Sequence, residues 1–296
     1  MKKGKESAYT HLLGGGVGGN GMIDPKEFIR GEYLPHLCDL RVGTENNLPY
    51  EEQLILPDNR HISVYAKAER VQAAHVLIAR NPERIFTLVT HNSDMTINTC
   101  TMPGNLVRWF AQNRNTDQSR IYSIPIGLEN EYWFPYKQNV MLAATKEERV
   151  IQSFVQFSRA THSERNHALN ILRPEIYDMH VGANGDRDQH ALFCQNLKRY
   201  AFCICPRGNG IDTHRVWECL YMGCIPICKK YHAHQFDQEL PILFVDEWSD
   251  ITPELLHETY HSIDGSLFDS DILKMSYWAE KINKEDVVVY ADGEEE

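Results

Sequence analysis

FCICPRGNGIDTHRVWECLYMGCIPIC, residues Phe202 to Cys228, decides the fold. The run Tyr200 to Cys205 is apolar and of strand length. It breaks into Pro206-Arg207-Gly208-Asn209-Gly210 and passes through Asp212-Thr213-His214-Arg215. Thr213 to Met222 then carries helical spacing, and Ile225 to Cys228 returns to an extended pattern. Strand, loop, helix and strand in that order form the repeating unit of an α/β fold with a parallel sheet.

The same alternation extends outward. His61 to Tyr65, Arg84 to Thr90, Arg120 to Ile126, Val150 to Phe157 and Leu243 to Val245 read as strands. Lys67 to Arg80, Leu106 to Gln112, the segment through Leu172, and Asp271 to Lys284 read as helices. Thr252-Pro253-Glu254 has the cap, the first-position proline and the acidic first turn of a helix start. The pattern predicts two α/β halves, residues 22–140 and 141–285, joined near residues 137–149, with the last helix free to cross back to the first half. Residues 1–21, rich in glycine, read as a tag before a natural start at Met22 or else as a native disordered tail, and residues 286–296 read as an acidic tail.

Composition excludes several classes. The chain has 296 residues, 42% of them hydrophobic and 10% aromatic, enough for a packed core. A formal net charge of −11 argues against general binding to nucleic-acid backbones. The longest apolar runs fall far short of the roughly 20 residues that span a bilayer, and no secretory signal is legible. Neither half contains GxGxxG or GxxxxGK[ST], so dinucleotide and P-loop sites lack motif support. No GxSxG elbow supports a hydrolase. Cys203, Cys205, Cys219, Cys224 and Cys228 cluster without a CxxC pair. Cys203 and Cys205 are expected on opposite faces of a strand, a poor arrangement for a shared zinc ion. They read as reduced, buried thiols.

Open α/β sheets bind ligands beyond the carboxyl ends of their strands, and the polar candidates fall there. In the loop Arg207 to Arg215, Gly208 and Gly210 allow close backbone approach. Asp212 or Thr213 can cap the next helix, whose first amides then face the loop. Arg207 and Arg215 offer forked donors matched to phosphate oxygens, and Asn209 and His214 belong to the same loop. This set forms either a diphosphate cradle or a glycine-rich turn with internally paired arginines. Glu218, one helical turn beyond Arg215, could accept from a ribose diol or pair with that arginine. Ser158, Arg159 and Arg165 at the neighbouring strand end complete a phosphate site or form a solvated helix start. His91 and Asp94 are candidates for a general base or for local capping.

The long motif FCICPRGNGIDTHRVWECLYMGCIPI resembles the donor segment of exostosin-like glycosyltransferases, family 47 and its relatives. THNSD (Thr90 to Asp94), WFAQN (Trp109 to Asn113) and SIPIGLEN (Ser123 to Asn130) are similar to pieces of the same lineage, above all its bacterial and large-virus members. The likeness covers residues 85–230. It implies a GT-B architecture: two Rossmann-like halves facing each other across a cleft. It implies that Arg207 and Arg215 hold the diphosphate of a UDP-sugar, with xylose favoured, that Glu218 holds the ribose, and that Ser158 and Arg159 line the phosphates. The first half would bind the acceptor glycan. The family inverts the anomeric centre, so one base deprotonates the acceptor hydroxyl; Asp94 is expected, then His91, then Glu131. No metal is required, because arginines and helix amides can stabilise the departing diphosphate; Asp186-Arg187-Asp188 matches the letters of a metal motif but reads as surface. Neither nucleic acid nor a membrane span is expected, and the location is cytoplasmic, in the host for a viral member. A non-catalytic nucleotide or anionic-glycan binding module is the alternative, and a zinc or thiol enzyme is a third.

Overall fold

The computed structural model describes residues 23–43, 56–144, 149–179, 187–236 and 239–284. The expected tails, Asp186 and most of the charged segment at 146–149 lie outside them.

The first half contains α1 (Leu34–Leu37), β1 (Leu40–Val42), β2 (His61–Lys67), α2 (Val71–Ala79), β3 (Ile85–His91), β4 (Leu106–Ala111) and β5 (Ile121–Ser123). α3 (Lys137–Ala143) links it to the second. There follow β6 (Val150–Val155), α4 (Ser163–Ile171), β7 (Tyr177–Met179), α5 (Arg187–Arg199) and β8 (Tyr200–Ile204). The second half continues with α6 (His214–Met222), β9 (Ile225–Lys229), β10 (Leu243–Val245), α7 (Pro253–Ser262) and α8 (Met275–Asn283).

Two five-stranded parallel sheets result, ordered β1-β2-β3-β4-β5 and β10-β9-β8-β6-β7. This is a mixed α/β architecture compatible with Rossmann-like halves. β3 and β8 are buried at every position, as parallel strands covered on both faces must be. Their unbroken apolar runs follow from that.

One apolar cluster joins the halves. It contains Phe28, Leu34, Phe110 and Ile124 of the first, Cys205, Trp217 and Tyr221 of the second, and Trp278 of α8. Smaller clusters around Leu88 and Trp109 and around Phe202 and Trp248 belong to one half each. α8 rests on the first half: the Ser276 amide donates to Glu27 Oε2 at 2.8 Å, and Arg108 donates to the carbonyls of Lys281 and Lys284. No helix among the described residues is long and apolar enough to cross a membrane.

Three expectations need correction. Leu106 to Gln112 is not a helix; Leu106–Ala111 is a strand between β3 and β5. It carries no clean period, and the sheet position rather than local propensity sets its state. Lys67 to Arg80 is helical only from Val71, after a 3-10 turn at Ala68–Arg70, and the last helix likewise splits into a 3-10 turn, Asp271–Leu273, and α8. Finally, Cys203 and Cys205 do not point to opposite faces. Residues two apart on a strand share a face, and their sulfurs and that of Cys219 lie within 4.8 Å of one another. The helix at Pro253 starts as read, with Thr252 accepting from the Leu255 amide at 3.1 Å.

Candidate functional site at the strand ends

In the second sheet β6 lies between β7 and β8, so the strand order reverses there. Such a reversal leaves a crevice outside the carboxyl ends of the two central strands. Ser158 and Arg159 follow β6, and Pro206 to Gly210 follow β8.

Arg165, in the first turn of α4, ties these two loops together. Its Nε donates to the Arg207 carbonyl at 3.0 Å and its Nη1 to the Ser158 carbonyl at 2.8 Å. It is buried, and burial, with Arg215 adding to it, lowers its guanidinium to about 10. Arg215 is also buried; its Nη1 donates to the Gln156 carbonyl at 2.6 Å, and its guanidinium lies 4.9 Å from the Phe193 ring centre. Arg207 is partly exposed and folds onto its own loop, donating to the Asn209 carbonyl at 3.0 Å. Arg159 is exposed and donates to Asn166 Oδ1. The predicted cations therefore gather at one strand-end crevice, where main-chain carbonyls hold three of them.

Glu218 is buried on α6. The ion pair anticipated with Arg215 is instead made to Lys137 of α3, at 3.9 Å. Burial pushes the Glu218 carboxyl up, but Lys137, His190 and Arg215 together outweigh it and leave it below its ordinary value.

The loop glycines have a different job from the one expected. A Cβ on Gly210 would lie 2.8 Å from Asn113 Nδ2, and one on Gly208 would lie 3.2 Å from Arg165 Nη2. Both make room for protein side chains. Asp212 caps nothing: it is buried and accepts from the Ile126 amide at 2.8 Å and from Trp217 Nε1 at 2.9 Å. Thr213 occupies the cap position of α6 without a side-chain cap bond. The Asp212 amide donates to Asn113 Oδ1 at 2.9 Å, so this loop is stitched to the first half.

A cavity of about 280 Å³ opens where the first sheet's strand ends meet α6. Asp94, Gln112, Glu129, Tyr132, Trp133 and His214 line it. Asp94 is exposed. Gln112 is 3% exposed, and its Oε1 has no hydrogen-bond partner among the described residues. His214 comes from the second half; its Nδ1 donates to the Gly127 carbonyl at 2.8 Å, and its Nε2 lies 3.6 Å from Glu129 Oε2. Tyr132 and Trp133 are 55% and 65% exposed, with ring centres 5.1 Å apart. Exposed aromatic faces beside carboxylates and amides suit a ligand with apolar faces and hydroxyl edges.

The other base candidates sit elsewhere. His91, the last residue of β3, is fully buried and bonded through Nε2 to the Pro125 carbonyl at 2.9 Å. Burial lowers its imidazole to about 4. The Glu131 carboxylate is 2.5 Å from Nη1 of the buried Arg30.

Glu129 belongs to the candidate run Glu129 to Glu131 at a strand end, but Gln112, Tyr132, Trp133 and Lys137 were not among the expected site residues. The aromatic run Tyr132-Trp133-Phe134 in a polar loop was the available signal. Nothing local marked Lys137, because its partner lies on another helix.

Neither a scan against protein-family models nor a search of the curated proteins finds a match for this chain.

Proposed function

We propose that the chain is an inverting glycosyltransferase of the GT-B type, moving a sugar from a UDP-sugar to a hydroxyl of an acceptor glycan without a metal ion. The observation that carries this reading is the Asp94 cavity. It combines an exposed carboxylate, an unpartnered buried amide oxygen and an aromatic pair with a histidine from the opposite half. A pyranose on Tyr132 and Trp133 would present a hydroxyl to Asp94, and Gln112 Oε1 would accept from a neighbouring one.

In the reaction, Asp94 takes the proton of the acceptor hydroxyl as that oxygen attacks the anomeric carbon. The bond from that carbon to the diphosphate breaks on the opposite side, and its electron pair leaves with the diphosphate. Arg207, less buried than Arg165 and Arg215, exchanges its bond to the Asn209 carbonyl for the departing phosphate. Arg165 and Arg215 fix the crevice and supply positive field from behind it. Xylose is the proposed sugar by the sequence resemblance alone.

The alternative is a glycan-binding module without turnover. It draws support from the carbonyl bonds that already occupy Arg165 and Arg215, and from the Lys137 partner of Glu218.

A thermal-shift series with UDP, GDP and their sugars, without divalent metal, tests the donor half of the proposal. A shift with UDP is expected; no shift with any nucleotide sinks the transferase reading. Asp94→Asn should keep the shift and lose turnover. Retained turnover in that variant would remove Asp94 from the role of base.

A further inference from the structure

The thiols of Cys203, Cys205 and Cys219 form the one His, Cys, Asp or Glu group in the described residues with metal-ligand spacing. Cys203 and Cys205 come from the β8 end and Cys219 from α6. All three sulfurs lie within 4.8 Å of one another, and the Cys205 and Cys219 sulfurs are 3.7 Å apart. Three sulfurs bound to one ion at about 2.3 Å stand about 4 Å apart when the ion lies in their plane. The triangle is close to that size, with one edge of 3.7 Å and no edge above 4.8 Å. Each residue is 4% exposed or less, so water cannot compete for a coordination position.

We infer that Cys203, Cys205 and Cys219 form a closed, three-sulfur site for a soft monovalent d10 ion of the copper(I) class. Thiolate ligands select such ions over hard cations, and a three-coordinate set suits copper(I), whereas structural zinc takes four ligands. On binding, each sulfur gives up its proton to solvent and donates to the ion, with no change of oxidation state. Without the ion, the three are free, buried cysteines. The Cys205 thiol then donates to the Cys203 carbonyl at 3.3 Å.

Three thiolates and one monovalent cation leave the centre anionic, which an apolar interior does not tolerate alone. Compensation stands beside it. The Arg215 guanidinium acts electrostatically on Cys203, and Arg165 and Cys205 act on each other. Both arginines are buried. Arg215 and Cys219 are four residues apart on α6 and so share one helical face. The site is independent of the nucleotide reading, although an occupied site would draw on the same positive field.

The test is anaerobic titration of the full folded chain with copper(I) against a chromophoric copper(I) chelator. Roughly one equivalent per chain should resist the chelator and raise the melting temperature. X-ray absorption of that species should show three sulfur neighbours at about 2.3 Å. Cys219→Ala should lower the affinity by at least about 100-fold. A control variant with Cys38, Cys100 and Cys194 changed to serine should bind as the parent does. Two sulfur neighbours, or binding lost in the control rather than in Cys219→Ala, would overturn the inference. So would copper uptake only on unfolding, which circular dichroism during the titration would reveal.

Discussion

The carboxylate of Asp212 lies 2.8 Å from the amide nitrogen of Ile126, so a side chain of the second half satisfies the backbone of the first. The same carboxylate accepts from Trp217 Nε1, and the Asp212 amide donates to Asn113 Oδ1. One residue, 3% exposed, thus serves three polar groups at the seam. Asp212→Ala would leave the Ile126 amide and the Trp217 indole without acceptors. Buried orphans of this kind cost about 3 kcal/mol together, so the variant should lose that much in urea denaturation. Asp212→Asn keeps one acceptor oxygen and should lose less.

Lys137 and Glu218 form a second tie between α3 and α6. Lys137→Met leaves a buried carboxylate facing only weaker partners. Removing one member of a buried pair costs roughly 3 kcal/mol or more, and a melting curve near neutral pH should register that loss. Without its strongest counter-charge, the Glu218 carboxyl rises, and its neutral form becomes the one the fold favours. The deficit should then shrink as the medium is acidified, and Glu218→Gln in the same background should restore much of it at neutral pH.

His91 sets an acid limit. Its ordinary value is 6.5 and the folded value is about 4, chiefly because burial disfavours the charged ring. A base depressed in the fold binds its proton more readily when unfolded. Its contribution is therefore complete above 6.5 and is lost as pH falls from there toward about 4. The full difference is about 3 kcal/mol. His91→Gln should flatten the stability profile in that window by about one proton. An unchanged slope would show that another group carries the acid loss.

Trp133 offers the reverse separation. At 65% exposed it contributes little to the fold, and Trp133→Ala should stay within about 0.5 kcal/mol of the parent. If the aromatic pair receives a sugar, the acceptor KM should rise about tenfold, equivalent to roughly 1.4 kcal/mol, with kcat much less affected. An unchanged KM would place the acceptor away from this face.

Much of the second half could be read from the chain before any coordinates. Tyr200–Ile204 and Ile225–Lys229 are short apolar runs closed by turn residues, and both are strands. The helix between them was legible because Trp217, Leu220 and Tyr221 recur at helical spacing. β4 was not, since Leu106–Ala111 has no period of its own and owes its state to β3 and β5. The segment Arg207 to Arg215 follows a strand end as read, with His214 and Arg215 already in α6. The work of its parts was not legible, because Gly210 answers to Asn113 and Asp212 to Ile126, residues far away in the chain. Motif spacing reports what is near along the backbone. The cavity around Asp94 depends on contacts between halves, which spacing cannot carry.

The placement of α8 has a consequence for synthesis. Trp278 packs edge-on to Phe110 at 6.0 Å, in the same cluster as Phe28 and Leu34. While the chain emerges from the ribosome, those first-half residues wait for a helix that follows every strand of the second half. The nascent first half must therefore carry an uncovered apolar face until the second half is complete, and this interval is when the chain is most exposed to aggregation and to chaperone capture.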